Sequence, residues 1–139
     1  MNDNEIVARL LHSGIAEPDF DPFLRKDFFP PQDREMSNVC GEADGVSVVR
    51  RLDYTDQDLQ QKAVELAGEN RTGEGALLAR AADLRNIRLS LVPIQAIYIY
   101  DDPTDEESGH AILRGIESLD RPEQEELRLS VRLRFDQRI

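Results

Sequence analysis

The chain has 139 residues, of which 28 are acidic and 17 basic, so its net charge at pH 7 is −11. Sequence-independent binding to nucleic acid requires Lys and Arg to neutralise phosphates, so this charge disfavours nucleic acids, and anionic membranes likewise, as partners. Hydrophobic residues make up 40% of the chain and no apolar run reaches the length of a membrane span, which predicts a globular protein with one domain over residues 1–139.

The N-terminal third shows one short pattern followed by a long stretch without one. Residues 4–12 carry four aliphatic side chains at helical spacing, which predicts a short helix. Residues 15–44 contain four prolines and four of the five phenylalanines, and no period is sustained there. This composition predicts a long irregular loop that is packed on the core by its aromatic side chains.

The middle of the chain alternates short strand and helix patterns. β-Branched residues that follow a turn dipeptide predict a strand over 46–51. Thr55 precedes a run with helical spacing that ends at Gly68, so we predict a capped helix over 56–67. The next predicted segments are a loop over 68–75, a short strand over 75–79, one or two helical turns over 81–85, and a β-rich stretch over 89–100 that Pro93 interrupts.

An acidic run at residues 101–109 separates this stretch from a predicted strand over 110–113. Five of its first seven residues are Asp or Glu. Calcium loops require alternating oxygen ligands, a glycine at a fixed position and a distal glutamate, and this run lacks that order. We therefore predict a solvated turn, and the sequence predicts no metal site and no cofactor.

The C-terminal segment carries two conflicting patterns. Asp120 and Glu123 form a capping box in front of residues 121–135, which predicts a helix there. From Leu127 to Phe135, however, apolar and polar residues alternate strictly, which favours a strand. The residues by themselves leave both structures open.

These elements predict an α+β fold, with a small mixed sheet, a few flanking helices and the long N-terminal loop packed on the core. Cys40 is the only cysteine, so no internal disulfide can form. The first residues are acidic and lack the features of a signal peptide. We therefore expect a reducing, cytoplasmic environment.

The two histidines, His12 and His110, are the side chains best suited to moving protons near neutral pH. His110 is the stronger candidate because it ends the acidic run and opens a predicted strand. A structural or surface role is the simpler interpretation of each histidine. The sequence contains no nucleophile elbow, phosphate-binding loop, dinucleotide fingerprint or zinc-protease motif.

Four short segments, in order, resemble a group of small uncharacterised bacterial proteins. In that group they read as an R-x-x-H-P start, a G-L-S-V strand, a G-V-A strand and an H-A-x-I-x-G strand before a C-terminal helix. Here Ser13 replaces the proline of the first motif, and Ser108-Gly109 replace a Pro-Ala pair of the last. The matching segments are Arg9–His12, Asp44–Val48, Gly75–Ala79 together with Asp83–Arg85, and His110–Gly115.

The resemblance implies a helix at the C-terminus, so it favours the helix that the cap predicts over the strand that the alternation predicts. It also implies one polar site, because its motifs single out Arg9, His12, Ser47 and His110. We therefore expect Arg9, His12 and His110 to lie on one surface cleft, with Ser47 on the adjoining strand.

Two functions from different classes remain open on the sequence. The favoured one is a small, acidic, cytoplasmic bacterial module that binds a protein partner with a basic surface, for example within a defence or toxin–antitoxin operon. The alternative is a small hydrolase or transferase that acts on nucleotides or RNA. In that case Arg9 would hold a phosphate, with Ser47 beside it, and His12 and His110 would be catalytic.

Overall fold

The computed structural model describes residues 2–13, 46–69, 72–91, 94–116 and 119–139. In these ranges, strands and helices alternate along the chain and build one sheet with helices packed on it, which confirms the predicted α+β class. The predicted N-terminal loop over 15–44, including Cys40, lies outside the described residues.

The sheet contains six strands in the described part of the chain, in the order β4-β5-β2-β1-β3-β6. Each pair of neighbours is antiparallel, whereas a mixed sheet was predicted. The strands are β1 (Ile6–Ser13), β2 (Val46–Arg50), β3 (Thr72–Arg80), β4 (Ile97–Asp101), β5 (His110–Gly115) and β6 (Gln137–Arg138), and the helices are α1 (Asp56–Ala67), α2 (Ala81–Arg85) and α3 (Arg121–Arg134).

Helices cover both faces of the sheet. On one face, Leu127 and Val131 of α3 and the following Phe135 are fully buried in a core that they share with α2 and the strands. On the other face, Leu59 and Ala63 of α1 are fully buried against β1 and β3. The two apolar layers together hold the strands between them.

β1 takes the place of the helix predicted over 4–12, so that prediction was wrong. Val7 and Leu11 belong to the core on the α3 side, and Ala8 and Leu10 belong to the core on the α1 side. An interior strand that is covered on both faces is apolar at nearly every position. Over so few residues, its pattern cannot be told from that of a short helix.

Both long helices begin at the caps predicted from the sequence, and in the structure each cap is a capping box. The Thr55 hydroxyl accepts a hydrogen bond from the Asp58 amide, and the Asp58 carboxylate accepts one from the Thr55 amide. Asp120 and Glu123 make the same reciprocal pair at the start of α3. Each box satisfies two backbone donors that the helix itself leaves without partners.

The structure resolves the C-terminal conflict in favour of the helix. Leu127, Val131 and Phe135 are buried, while Leu129 and Leu133 point to solvent with 55% and 70% of their surface exposed. The alternation that favoured a strand therefore has a different origin. It arises because Leu129 and Leu133 are apolar residues on the outer face of a helix.

The other predicted elements agree in kind with the structure, and several of them differ in their bounds. α1 and α2 match the predicted residues, and β2 and α3 each end one residue early. β3 begins at Thr72, so part of the predicted loop over 68–75 belongs to the sheet. Within 89–100 the strand begins only at Ile97, and β6 was not predicted.

Candidate functional site

A cleft opens on the α1 side of the sheet, where β1 and β2 separate. The β1–β2 pairing covers only Val7 with Arg50 and Ala8 with Val49. The cleft has a volume of about 220 Å³ and is bounded by three strands, the end of α1 and the loop between β4 and β5. Its lining residues are Arg9, Leu10, Ser47, Val48, Val49, Leu66, Thr104, Glu106, Glu107 and His110.

Three of the four predicted site residues line this cleft: Arg9, Ser47 and His110. The side chain of His12 is outside the described part of the chain, but its backbone pairs with β3. Val49 of β2 pairs with Ala8 of β1 on one side and with His110 of β5 on the other, so His110 lies two strands away from Ala8. His12 lies four residues further along β1 than Ala8. This register separates the Cα atoms of His12 and His110 by about 16 Å.

Arg9 supports the place where the two strands part. If the β1–β2 register continued, Leu10 would pair with Ser47, but the described ladder ends before that pair. The Arg9 Nη1 instead donates a hydrogen bond of 2.8 Å to the carbonyl oxygen of Ser47. Arg9 therefore satisfies a backbone acceptor on the side of β2 where the described ladder with β1 has ended.

His110 anchors the start of β5 to the acidic loop and is only 8% exposed. Its Nδ1 lies 2.8 Å from the Asp102 carbonyl oxygen and 3.2 Å from the Asp102 carboxylate. Both of these oxygens only accept hydrogen bonds, so Nδ1 carries the hydrogen. The Asp102 amide in turn donates to the His110 carbonyl at 3.0 Å, which closes a reciprocal pair.

Glu107 is the most buried acid of the run, at 6% exposure, so the prediction of a solvated turn was wrong for this residue. One carboxylate oxygen accepts from the Tyr54 hydroxyl at 2.8 Å and from the Gly109 amide at 2.9 Å. The other oxygen pairs with Lys62 Nζ at 2.5 Å. Glu107 therefore ties the loop to α1 and to the segment before it.

The contacts within this cluster keep both Glu107 and Lys62 charged. Burial raises the pKa of Glu107, but the Lys62 ammonium, the Gly109 amide and the Tyr54 hydroxyl outweigh it and hold that pKa below the usual value. The hydrogen bond to Glu107 raises the pKa of Lys62. The ammonium also lies 4.3 Å from the centroid of the Tyr54 ring, where a cation–π contact adds to the attraction.

Gly109 lets the loop close tightly behind this cluster. A Cβ at that position would lie 3.0 Å from the Arg50 carbonyl oxygen and 3.1 Å from a Glu107 carboxylate oxygen. The Arg50 amide donates to the Gly109 carbonyl at 2.7 Å, so the backbones are already in contact. Glycine therefore fits here without displacing either neighbour.

The cleft combines an apolar wall with an acidic mouth. Leu10, Val49 and Leu66 supply aliphatic surface. Glu106 lies on the rim and is exposed, as is the neighbouring Asp105. The sequence did not single out Leu66 or Glu106, because neither belongs to a motif and only the tertiary fold brings them together.

The residues in the described ranges include no group of three or more His, Cys, Asp or Glu side chains placed to hold a metal ion. Among the helices in those same ranges, none has both the length and the apolar character needed to cross a membrane.

Comparison with protein-family models, with curated proteins and with solved structures found no significant match to this chain. The resemblance to small bacterial proteins therefore stays a prediction. The chemistry of the cleft and the charge of the chain are the observations that bear on function.

Proposed function

We propose that the protein is a protein-binding accessory module, and that its cleft binds an arginine or lysine side chain from a basic segment of the partner. The observation that carries this proposal is the pairing of an aliphatic wall with an acidic mouth in one cleft of about 220 Å³. Arginine and lysine have the matching shape, because an aliphatic stem leads to a cationic end.

Each part of the cleft has a role in this binding. Leu10, Val49 and Leu66 contact the aliphatic stem, which removes apolar surface from water. The Glu106 carboxylate, exposed on the rim, receives the cationic end. The net charge of −11 attracts a basic partner from a distance and accelerates its association.

The same geometry disfavours a phosphate in the cleft. Arg9 already donates to the Ser47 carbonyl, and Lys62 already pairs with Glu107. Glu106 lines the cleft and its neighbour Asp105 precedes it in the loop, and both are exposed carboxylates that repel an anion. A nucleotide- or RNA-directed hydrolase or transferase would have to withdraw Arg9 from its backbone acceptor before it bound substrate.

The small size and acidic charge support a place beside a larger basic protein in a bacterial cytoplasm. The toxin of a toxin–antitoxin operon, or a component of a defence operon, is a partner of this kind.

The experiment uses three small probes that share a butyl stem and carry a cationic, a neutral or an anionic head group: butylguanidinium, butylurea and butyl phosphate. Each is titrated into the ¹⁵N-labelled protein, and amide chemical shifts are followed. We expect butylguanidinium to shift the amides of Ser47, Leu66 and Thr104 with a Kd in the range of about 1 mM, because a single side chain makes a small contact. Butylurea should bind more weakly, and butyl phosphate should not bind.

Two variants locate the binding. Glu106→Gln removes the rim charge and should weaken butylguanidinium binding several-fold, whereas Glu74→Gln, an exposed acid on β3 outside the cleft, should leave it unchanged. If butyl phosphate shifts these amides and butylguanidinium does not, the proposal is wrong, and the nucleotide-directed alternative takes its place.

A further inference from the structure

The cleft reaches the main chain of both strands at the point where β1 and β2 part. Successive side chains of a strand point to opposite faces of the sheet. Arg9 and Leu10, which are adjacent in β1, nevertheless both line the cleft. The same holds for Ser47, Val48 and Val49, which are adjacent in β2. The edges of the two strands, and not only the side chains of one face, therefore bound the cleft.

The hydrogen bonds of β3 show in which direction the main chain of Leu10 points. Leu10 is opposite Ala76 of β3, but the amide and the carbonyl of Ala76 both bond to Ile139 on the other side, at 3.3 and 3.0 Å. Leu10 and Ala76 therefore form a pair that exchanges no hydrogen bonds. In an antiparallel sheet, the amide and the carbonyl of Leu10 then point away from β3 and toward β2.

The ladder between β1 and β2 gives the same direction. The Arg51 amide donates to the Ile6 carbonyl at 2.9 Å, so the main chain of Ile6 faces β2. Every second residue of β1 does the same, which includes Ala8 and Leu10. Ala8 pairs with Val49, and the described ladder ends there. The Leu10 amide and carbonyl therefore lie at the end of the ladder, beside the cleft.

We propose that the partner's arginine or lysine lies in an extended segment whose main chain pairs with Leu10. The amide of this residue donates to the Leu10 carbonyl, and its carbonyl accepts from the Leu10 amide. The inference rests on the proposed function and adds the conformation in which the basic segment binds. Addition of an extended peptide to a strand edge is a recurring mode of recognition, in which the main chain supplies affinity and side-chain pockets supply specificity.

This pairing directs the cationic side chain into the cleft. Residues that lie directly opposite each other on paired strands place their side chains on the same face of the sheet. The Leu10 side chain belongs to the core on the α1 side and lines the cleft. A residue that pairs with Leu10 therefore places its side chain on the face where the cleft opens, beside the aliphatic wall.

A peptide fits this position better than a small organic cation. A small cation can contact the aliphatic wall and the carboxylate of Glu106, but it offers no main chain to Leu10. The corresponding acceptor on β2, the Ser47 carbonyl, already receives a hydrogen bond of 2.8 Å from Arg9. The segment therefore pairs with β1 and leaves this contact of β2 in place.

The test compares butylguanidinium with a tripeptide, acetyl-alanyl-arginyl-alanine amide. Each ligand is titrated into the ¹⁵N-labelled protein, and amide chemical shifts give its Kd. We expect the tripeptide to bind about tenfold more tightly, because two hydrogen bonds are added and part of their gain is lost in ordering the peptide. At saturation, hydrogen exchange of the Leu10 amide should slow with the tripeptide and not with butylguanidinium.

Two methylated tripeptides provide a matched comparison. Methylation of the arginine amide nitrogen removes the donor to the Leu10 carbonyl, so the affinity should fall to about that of butylguanidinium. Methylation of the amide nitrogen of the following alanine should leave the affinity unchanged, because that nitrogen points away from β1 in an extended segment.

The outcomes separate this inference from the proposed function. If butylguanidinium binds and the tripeptide binds no more tightly, or if the two methylated tripeptides bind equally, the pairing with Leu10 is wrong and the cation site stands. If neither butylguanidinium nor the tripeptide binds, the proposed function is wrong as well. Glu106→Gln should weaken both ligands by the same factor, and a loss confined to butylguanidinium would place the tripeptide outside the cleft and overturn the inference.

Discussion

The acidic loop before β5 and the outer face of α3 depart in opposite ways from the usual distribution of side chains. Glu107 is a charged residue with 6% of its surface exposed, and Leu133 is a large apolar residue with 70% exposed. The chain itself compensates for the buried charge by supplying Lys62 and Tyr54 as partners. Leu133 instead lies on the outer face of α3, so contacts within the described ranges explain the loop and not this leucine.

The largest expected effect contrasts the two sides of α3. Leu127→Ala should reduce the free energy of unfolding by about 2–5 kcal/mol, because it leaves a cavity in the core. Leu129→Ala should change it by less than about 0.5 kcal/mol. Urea denaturation at micromolar concentration measures both. Similar losses in the two variants would show that the outer face is packed within one chain.

The next effect contrasts two neighbouring acids in the loop. Glu107→Gln should reduce the free energy of unfolding by about 2 kcal/mol, because Lys62 loses its carboxylate; the loss falls below that for a fully buried pair because Lys62 is partly exposed. Glu106→Gln is the control and should cost less than about 0.5 kcal/mol. Chemical denaturation at neutral pH measures the free energy of unfolding of both variants. Equal values would mean that burial of Glu107 has no energetic consequence.

His110 tests whether a residue of the cleft acts in structure or in binding. His110→Ala should reduce the free energy of unfolding by about 1–3 kcal/mol, because it removes a buried donor from the Asp102 carbonyl. Thermal or urea unfolding gives this number. A variant of unchanged stability that no longer binds butylguanidinium would instead assign His110 a direct role in binding.

The smallest effect is a difference in acid stability. The pKa of Glu107 is lower in the folded state than its ordinary value of 4.5, so its stabilisation is complete above that pH and is lost as pH falls through the folded-state pKa. The wild type should therefore lose stability more steeply than Glu107→Gln below about pH 4.5. In Lys62→Met the fall should be shallower than in the wild type, because without the ammonium the folded-state pKa of Glu107 lies closer to its ordinary value or above it. Urea midpoints measured from pH 3 to pH 7 test this prediction, and parallel curves for all three proteins would contradict it.

What could be predicted from the sequence depends on how local each signal is. α1 was predicted because Thr55 marks its first turn in front of a run with helical spacing. For α3, Asp120 and Glu123 gave a local cap signal, and the resemblance decided between helix and strand. β1 was missed because an apolar run covered on both faces carries no period of its own. Its identity depends on partners in β2 and β3 that are far away in sequence.

The candidate site shows the same difference between residues that a sequence motif marks and residues that only the tertiary fold brings together. Arg9, Ser47 and His110 were singled out by a resemblance, and the structure brings all three to one cleft. No local pattern marks Glu107, since its neighbours Asp105 and Glu106 have the same character and remain exposed. It is buried because α1 brings Lys62 to the loop, and that contact spans 45 residues of chain.

The strand order has a consequence for how the chain folds. β1 is made first yet lies inside the sheet, and its pairs, Val7 with Arg50 and with Ala79, join residues 43 and 72 positions apart. The ordering of these long loops precedes the gain from pairing, so such topologies fold slowly, in milliseconds to seconds. During synthesis, β1 has no strand on its second side until β3 has left the ribosome. Until then, one edge of this apolar strand is unpaired, and the chain is most prone to aggregation during this interval.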